Sequence, residues 1–356
     1  MSTKSIPAKV SLYNIVEQGL FQRNVEEPIF SDLEVFLDDL IKWVTLGDKP
    51  LRETCTYAEL DYDLQKTFCY DIKKSSKTGN FLLITWNKVS DANNSVAKIS
   101  GSAKVGEANI STSTLDPDDI PGFPTYFWLL PKHNKLVTIN FDYAQNGRQD
   151  LHKYLKDFFS KWSRYAFSSL NEKGERVVDH WKDPKNSETK YNHLYGRFES
   201  KLVRNSGKIE MLLNSWQRVR KIHQHNKISV KDLVKVPKVG LVNRMFGFTQ
   251  SASNDVDIKF RLESERTFQS KKEFEKLIKE WEGQTNLTKW DDLGFSLQGD
   301  TSTIHWLSSS LANTTFDCPL DRDKNSIFKS QNLVDWLDLI TPDILKLDEN
   351  SSEENG

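Results

Sequence analysis

Twelve lysines and arginines fall between Gly196 and Arg244, opposed only by Glu199, Glu210 and Asp232. The chemistry open to such a block is noncovalent. Each ammonium or guanidinium that neutralises a phosphate releases a condensed counterion, so the binding free energy comes from the backbone of a polyanion and not from its bases. Within the block, Lys227, Lys231, Lys235 and Lys238 recur every three or four residues among Val230, Leu233, Val234, Val236 and Val239. Either a short amphipathic helix or an extended ribbon ending at Pro237 lines these lysines up, and a line of cations suits a line of phosphates. Basic residues in the last turn of a helix also complement its dipole, which accounts for two or three of them but not for a dozen. An acidic protein surface is the competing partner.

Covalent chemistry has a weaker signature. The triplet Glu199-Ser200-Lys201, with Asp179 or Asp183 upstream, resembles the arrangement in which two carboxylates hold Mg²⁺ beside a lysine for phosphodiester hydrolysis. Asp183, Glu199 and Lys201 are the nuclease candidates. An exposed edge strand produces the same triplet. His180, His193, His223, His225 and His305 lack Cys or acid partners at ligand spacing, and His223 and His225 share a face only if they lie on a strand. Cys55, Cys69 and Cys318 are scattered with no CxxC pair, which suits a reducing compartment and no zinc site. The GxSxG, GxxxxGK[ST] and GxGxxG patterns are missing. The expectation is therefore no catalytic residue, no metal and no cofactor. Phe127, Trp128, Trp216 and Trp281 sit periodically among aliphatic residues and read as core, not as base-stacking groups.

The elements that must carry these residues follow from periodicity. The 356 residues include 49 Lys and Arg against 50 Asp and Glu, so acids must offset the block elsewhere: at Asp32 to Asp39, Asp116 to Asp119 and Asp348 to Glu354. The expected fold class is α+β, with two domains that are each a small, mostly antiparallel sheet packed with helices. An α/β domain spans 1–166, an α+β domain with the basic surface spans 167–347, and an acidic disordered tail spans 348–356.

In the first domain, Val10 to Val16 reads as a strand, and LEVFLDDLIKWV as a helix capped by Ser31. FLLITWNKV reads as a strand, and Ala92 to Ser113 as a hairpin or a loop. TYFWLL and KLVTINF form a hairpin after a proline-rich turn, and Gln149 to Tyr165 is an amphipathic helix. In the second, Tyr191 to Val203 is a strand. A helix over Lys208 to His223 turns Ile209, Leu212, Leu213, Trp216 and Val219 inward and leaves Arg218, Arg220 and Lys221 outside. Asp255 to Glu263 is a strand alternating Val256, Ile258, Phe260 and Leu262, and a helix runs from Ser270 to Gly283. Leu293 to Leu297 pairs with Ser302 to Leu307 across Gly299-Asp300, and Ile327 to Leu347 is a helix interrupted at Thr341-Pro342. No apolar run approaches the ~20 residues of a membrane span.

The order of landmarks resembles the RexA family of phage-exclusion proteins. FLDDLIKW, FLLIT, Asp118-Asp119 before Gly122-Phe123-Pro124, Tyr195-Gly196-Arg197, DVDIKFRL, FSLQGD, HWLS, Cys318-Pro319-Leu320 and DILK carry the likeness in sequence order. The DNA-binding subunit of Kiwa-type defence systems is similar in kind. The resemblance implies a cytoplasmic bacterial homodimer that binds double-stranded DNA without sequence preference in anti-phage defence. Its implied protein partners are a membrane protein encoded nearby and a phage protein. It makes DNA the polyanion expected at Arg197, Arg218, Arg220, Lys221, Lys227, Lys231, Lys235 and Lys238.

Overall fold

FLLITW and TYFWLL carry large apolar groups at consecutive positions, and a strand of that kind needs cover on both faces. The computed structural model supplies it. The structure describes residues 5–57, 66–89, 97–112, 115–141, 147–173, 176–204, 206–229, 257–282, 292–310, 312–321 and 327–349. The strands are β1 (Ile6–Gln22), β2 (Pro28–Phe30), β3 (Thr67–Lys74), β4 (Phe81–Lys88), β5 (Lys98–Ser100), β6 (Asp119–Leu130), β7 (Lys135–Asn140), β8 (Ala166–Leu170), β9 (Arg176–Asp183), β10 (Asn186–Tyr191), β11 (Leu194–Leu202), β12 (Val219–Ser229), β13 (Asp257–Glu265), β14 (Asp292–Leu297), β15 (Asp300–Trp306) and β16 (Asn313–Cys318). The described α-helices, here α1 to α5, are Leu33–Thr45, Arg148–Lys161, Ser206–Asn214, Lys271–Glu282 and Ser330–Glu349. Helices and antiparallel sheets thus coexist, as an α+β class requires.

The larger sheet is antiparallel, in the order β11-β1-β7-β6-β4-β3, with β16 and β2 also on β1 and β5 on β6. With nine strands it is not the small sheet expected. Leu82, Ile84, Trp86, Tyr126, Trp128 and Val137 pack on one face with Leu333, Val334, Leu337 and Ile344 of α5. Phe81, Leu83, Phe127, Leu129 and Leu136 pack on the other with Phe36, Leu37 and Leu40 of α1 and Leu151, Leu155 and Phe158 of α2. Phe127 and Trp128 are fully buried. The cap of α1 is Asp32, not Ser31: its Oδ1 accepts the Val35 N–H at 3.1 Å. Helix α5 runs unbroken through Pro342, where an interruption was expected. The Thr341 hydroxyl donates to the Leu337 carbonyl at 2.6 Å and accepts the Trp128 indole N–H at 3.0 Å. The helix also continues to Glu349 with Asp348 bound to Lys135 at 2.5 Å, so its last turn takes in the start of the expected tail. Strands β8, β9 and β10 form a separate three-stranded sheet.

The described residues form two compact units, one holding those up to Val203 with Ala312–Asp348, the other those within Arg204–Leu311. The boundary expected at 166/167 differs from this division because β11 and β16 both pair with β1. At the point where the chain leaves and returns, Val203 N–H donates to Leu12 O at 2.9 Å, Leu12 N–H to Ala312 O at 2.9 Å, and Ala312 N–H to Val203 O at 2.8 Å. The second unit is therefore an insertion between two strands of the first.

In the second unit the strand order is β13-β12-β14-β15. Leu212 of α3, Phe274, Ile278 and Trp281 of α4, and Val219, Ile222, Phe295 and Leu297 of the sheet make one core. The helix expected over Lys208 to His223 is three pieces: α3 to Asn214, a 3-10 turn over Trp216–Arg218, and β12 from Val219. Ser215 ends the helix, and β-branched Val219 and Ile222 suit the ladders that β12 makes with β13 and β14. Leu262, expected to alternate inward, is 54% exposed on the edge strand β13.

Gly196 of β11 lies against α2, and a Cβ built there would come within 2.1 Å of the Lys156 carbonyl oxygen. The Gly196 N–H donates to Ser160 Oγ at 2.7 Å. Gly196→Ala should cost about 2 kcal/mol or more, since backbone and not a flexible side chain must yield. A urea titration followed by tryptophan fluorescence measures the loss.

Candidate nucleic-acid interface

Strand β12 carries the described centre of the basic block. Its ladder with β14 shifts register between Val219 and Lys221, a β-bulge that places Arg220 outside the regular alternation. Gln298, in the turn from β14 to β15, donates its N–H to the Arg218 carbonyl at 2.6 Å. The Arg218 guanidinium returns Nε and Nη2 to the Gln298 carbonyl at 3.2 and 3.0 Å. The Arg220 guanidinium donates to Gln298 Oε1 and to the Gln217 carbonyl. Both arginines are exposed, and among the described residues neither has a carboxylate partner. Neutral oxygens fix their position without cancelling their charge.

Further along β12 the charges are matched. Lys221 Nζ lies 2.6 Å from Glu263 Oε1, and this partner holds the Glu263 carboxyl below its usual range and the Lys221 ammonium above its own. His223 Nε2 is 2.7 Å from Ser296 Oγ, and its Nδ1 is 3.6 Å from Glu263 Oε2. Because β12 is a strand, His223 and His225 share a face, and both approach Trp306 of β15 with ring centroids 6.2 and 4.3 Å away. Gly294 lies opposite Trp306, and a Cβ there would come within 2.7 Å of the indole. Asp292, opposite His225, accepts the Ser308 N–H at 2.9 Å and the Leu293 N–H at 2.8 Å, and burial raises its carboxyl pKa. Sequence reasoning missed Gln298 and Trp306. The Gly299-Asp300 turn pointed to the first, and only the pairing of β14 with β15 reveals the second.

The other expected contacts separate. Arg197 is on β11 in the first unit, 3.1 Å from Glu17 and 2.5 Å from the Tyr195 hydroxyl, with its guanidinium over the Phe21 ring at 4.7 Å. Lys227 is on β12, in register with Lys259 of β13. Lys231, Lys235 and Lys238 lie outside the described residues. In the first unit the acid clusters are internally matched: Asp39 with Arg164 at 2.7 Å, Glu34 and Asp38 with Lys74 at 2.9 and 3.0 Å, and Asp118 with Arg52 at 2.5 Å. The exposed surface of α4 is likewise self-neutralised by Lys279–Glu275 and Lys276–Glu280 pairs.

The nuclease candidates are engaged locally. Ser200 is buried, receiving Arg148 Nη1 on its carbonyl at 2.8 Å and contacting His152 Nε2 through its hydroxyl at 2.8 Å. Glu199, 59% exposed, reaches His152 Nδ1 at 3.4 Å, whereas Asp183 accepts the Lys185 N–H at 2.8 Å and Asp179 accepts the Ser169 hydroxyl at 2.8 Å. Among the described residues no group of three His, Cys, Asp or Glu could hold a metal ion, and no helix is long and apolar enough to cross a membrane.

Burial first, and then the nearby Arg148 cation, lower the His152 pKa from 6.5 to about 3. Folded His152 is neutral where the unfolded side chain takes up a proton, so its contribution is present above 6.5 and lost as pH falls toward 3. Between pH 7 and 5 the protein should lose about 2 kcal/mol more than its His152→Gln variant. Urea midpoints at the two pH values test this. Comparison of the chain with protein-family models, with curated proteins and with solved structures finds no match.

Proposed function

We propose that this chain binds double-stranded DNA through its phosphate backbone, without sequence preference, and acts as sensor or effector in the exclusion of phage from a bacterial cytoplasm. One observation carries the binding: Arg218 and Arg220 are exposed, fixed by Gln298 and without a carboxylate among the described residues. A guanidinium held by neutral acceptors keeps its full charge and loses little freedom when it takes a phosphate. Twelve basic residues against three acids from Gly196 to Arg244 extend the same sign along the chain. The defence role rests on the RexA-like order of landmarks. With it come the homodimer, in which each subunit supplies one basic face, and the separate roles of the two units as domains. A membrane protein encoded nearby, or a phage protein, would pass on or supply the signal.

The double variant Arg218→Glu, Arg220→Glu should weaken binding to unrelated duplexes alike, by tenfold or more at low salt. Each lost phosphate contact should also reduce the slope of log K against log salt by about 0.9. A gel shift with long duplex DNA reads the first and its salt series the second. A blank lane for the unaltered protein at low salt overturns the proposal. Retention of an acidic protein after nuclease treatment, with no DNA bound, would replace it with a docking function.

A further inference from the structure

An edge strand presents a row of unpaired N–H and C=O groups, and folds guard such rows with charge or proline. Among the described strands at sheet edges, β3, β5, β10, β11, β13, β15 and β16 each carry a charged residue, and β2 carries Pro28. Strand β8 has neither. Its five residues, Ala166-Phe167-Ser168-Ser169-Leu170, pair only with β9 among the described strands. The extra residue in that ladder, between the Phe167–His180 and Ser168–Val178 pairs, is Asp179 of β9, so β8 itself runs regular. Leu170, at its end, is 72% exposed.

β8 is also complementary to itself. When two copies meet antiparallel about a two-fold axis normal to the sheet, residues that stand opposite must lie on the same face of it. Only a register centred on Ser168 meets that rule and pairs all five residues. Ser168 then stands opposite its own copy, Phe167 opposite the partner's Ser169, and Leu170 opposite the partner's Ala166. Each large side chain meets a small one. Phe167 is held in place by the His180 ring, stacked on it at 5.2 Å, and by Lys182, 4.4 Å from its centroid. Ser169 is fixed by its 2.8 Å bond to Asp179. Beyond the strand ends, the same register carries exposed Glu172 toward the partner's Arg164, a carboxylate toward a guanidinium.

The geometry points to β8 as the strand through which two copies of this chain associate, joining their three-stranded sheets edge to edge into one of six strands. A second copy is the occupant because the same five residues supply both the large groups and the small ones opposite them, and both members of the rim pair. The inference rests on the proposed homodimer and gives it an interface; it does not require duplex binding.

Opposite Cα atoms in an antiparallel pair are about 4.5–5.5 Å apart, within the span of a disulfide. Oxidation of the full-length Ser168→Cys variant by copper phenanthroline in air should therefore give a covalent dimer on a non-reducing gel. The unaltered protein, with free Cys55, Cys69 and Cys318, should not. Nor should Ser169→Cys, because Ser169 is offset from its own copy by about 7–8 Å. Sedimentation velocity after nuclease treatment, so that no nucleic acid bridges copies, should show a dimer. Leu170→Lys should raise its dissociation constant about tenfold or more, with the circular dichroism unchanged, and Leu170→Met should stay dimeric. A dimer that Ser168→Cys does not crosslink and Leu170→Lys does not weaken leaves the homodimer standing and overturns this interface. A monomer at every concentration overturns both, and crosslinking of Ser168→Cys to a different protein in a cell extract would assign the edge to that protein instead.

Discussion

The structure depends on one strand. β1 spans 17 residues and pairs with β2, β7, β11 and β16, segments drawn from both ends of the chain. Its hydrogen bonds join β2, β7, β11 and β16 into the nine-stranded sheet, and the apolar groups on both faces of that sheet then call for helices on each side. The described strands between Val203 and Ala312, β12 to β15, make no ladder with that sheet, whereas the strands that flank them, β11 and β16, both pair with β1. They carry a second core on their own four-stranded sheet.

The charge distribution follows the same division. In the larger unit the acids on α1 and at the start of β6 meet Arg164, Lys74, Arg52 and Lys98, and Arg197 meets Glu17. The exposed pairs among these contribute little to stability, but all of them, the buried Lys98–Asp119 pair included, cancel the local field. In the insertion, Glu263 answers Lys221, whereas among the described residues the hydrogen-bond partners of Arg218 and Arg220 are oxygens of Gln217 and Gln298. Uncancelled, oriented charge marks a binding surface more sharply than a count of lysines does, because only the former survives folding as potential.

Local pattern carried much of this into the sequence. The strands at Val10, Phe81 and Thr125, the amphipathic helices α1, α2 and α4, and the turn at Gly299 were all legible, since each is set by neighbours a few residues away. Ile209, Leu212, Leu213, Trp216 and Val219 were correctly read as sharing a core. Their helical spacing concealed that Trp216 reaches it from a 3-10 turn and Val219 from a strand. The return of β16 to β1 leaves no local trace, so the boundary after α2 looked reasonable from periodicity alone. The ExK triplet was visible too, but only packing reveals that its serine is buried against His152 and Arg148. The cations of the site were legible as charge; Gln298, which orients two of them, and Gly294, which makes room for Trp306, were not.

The central claim is that the insertion presents charge a phosphate backbone can use. The most direct measurement is the equilibrium affinity of the full-length protein for a fluorescent duplex of arbitrary sequence across a series of salt concentrations. The account predicts a linear fall of log K with log salt, with the same slope for unrelated sequences, because each phosphate contact releases counterions. Affinity that does not change with salt, or that is confined to one sequence, would contradict it.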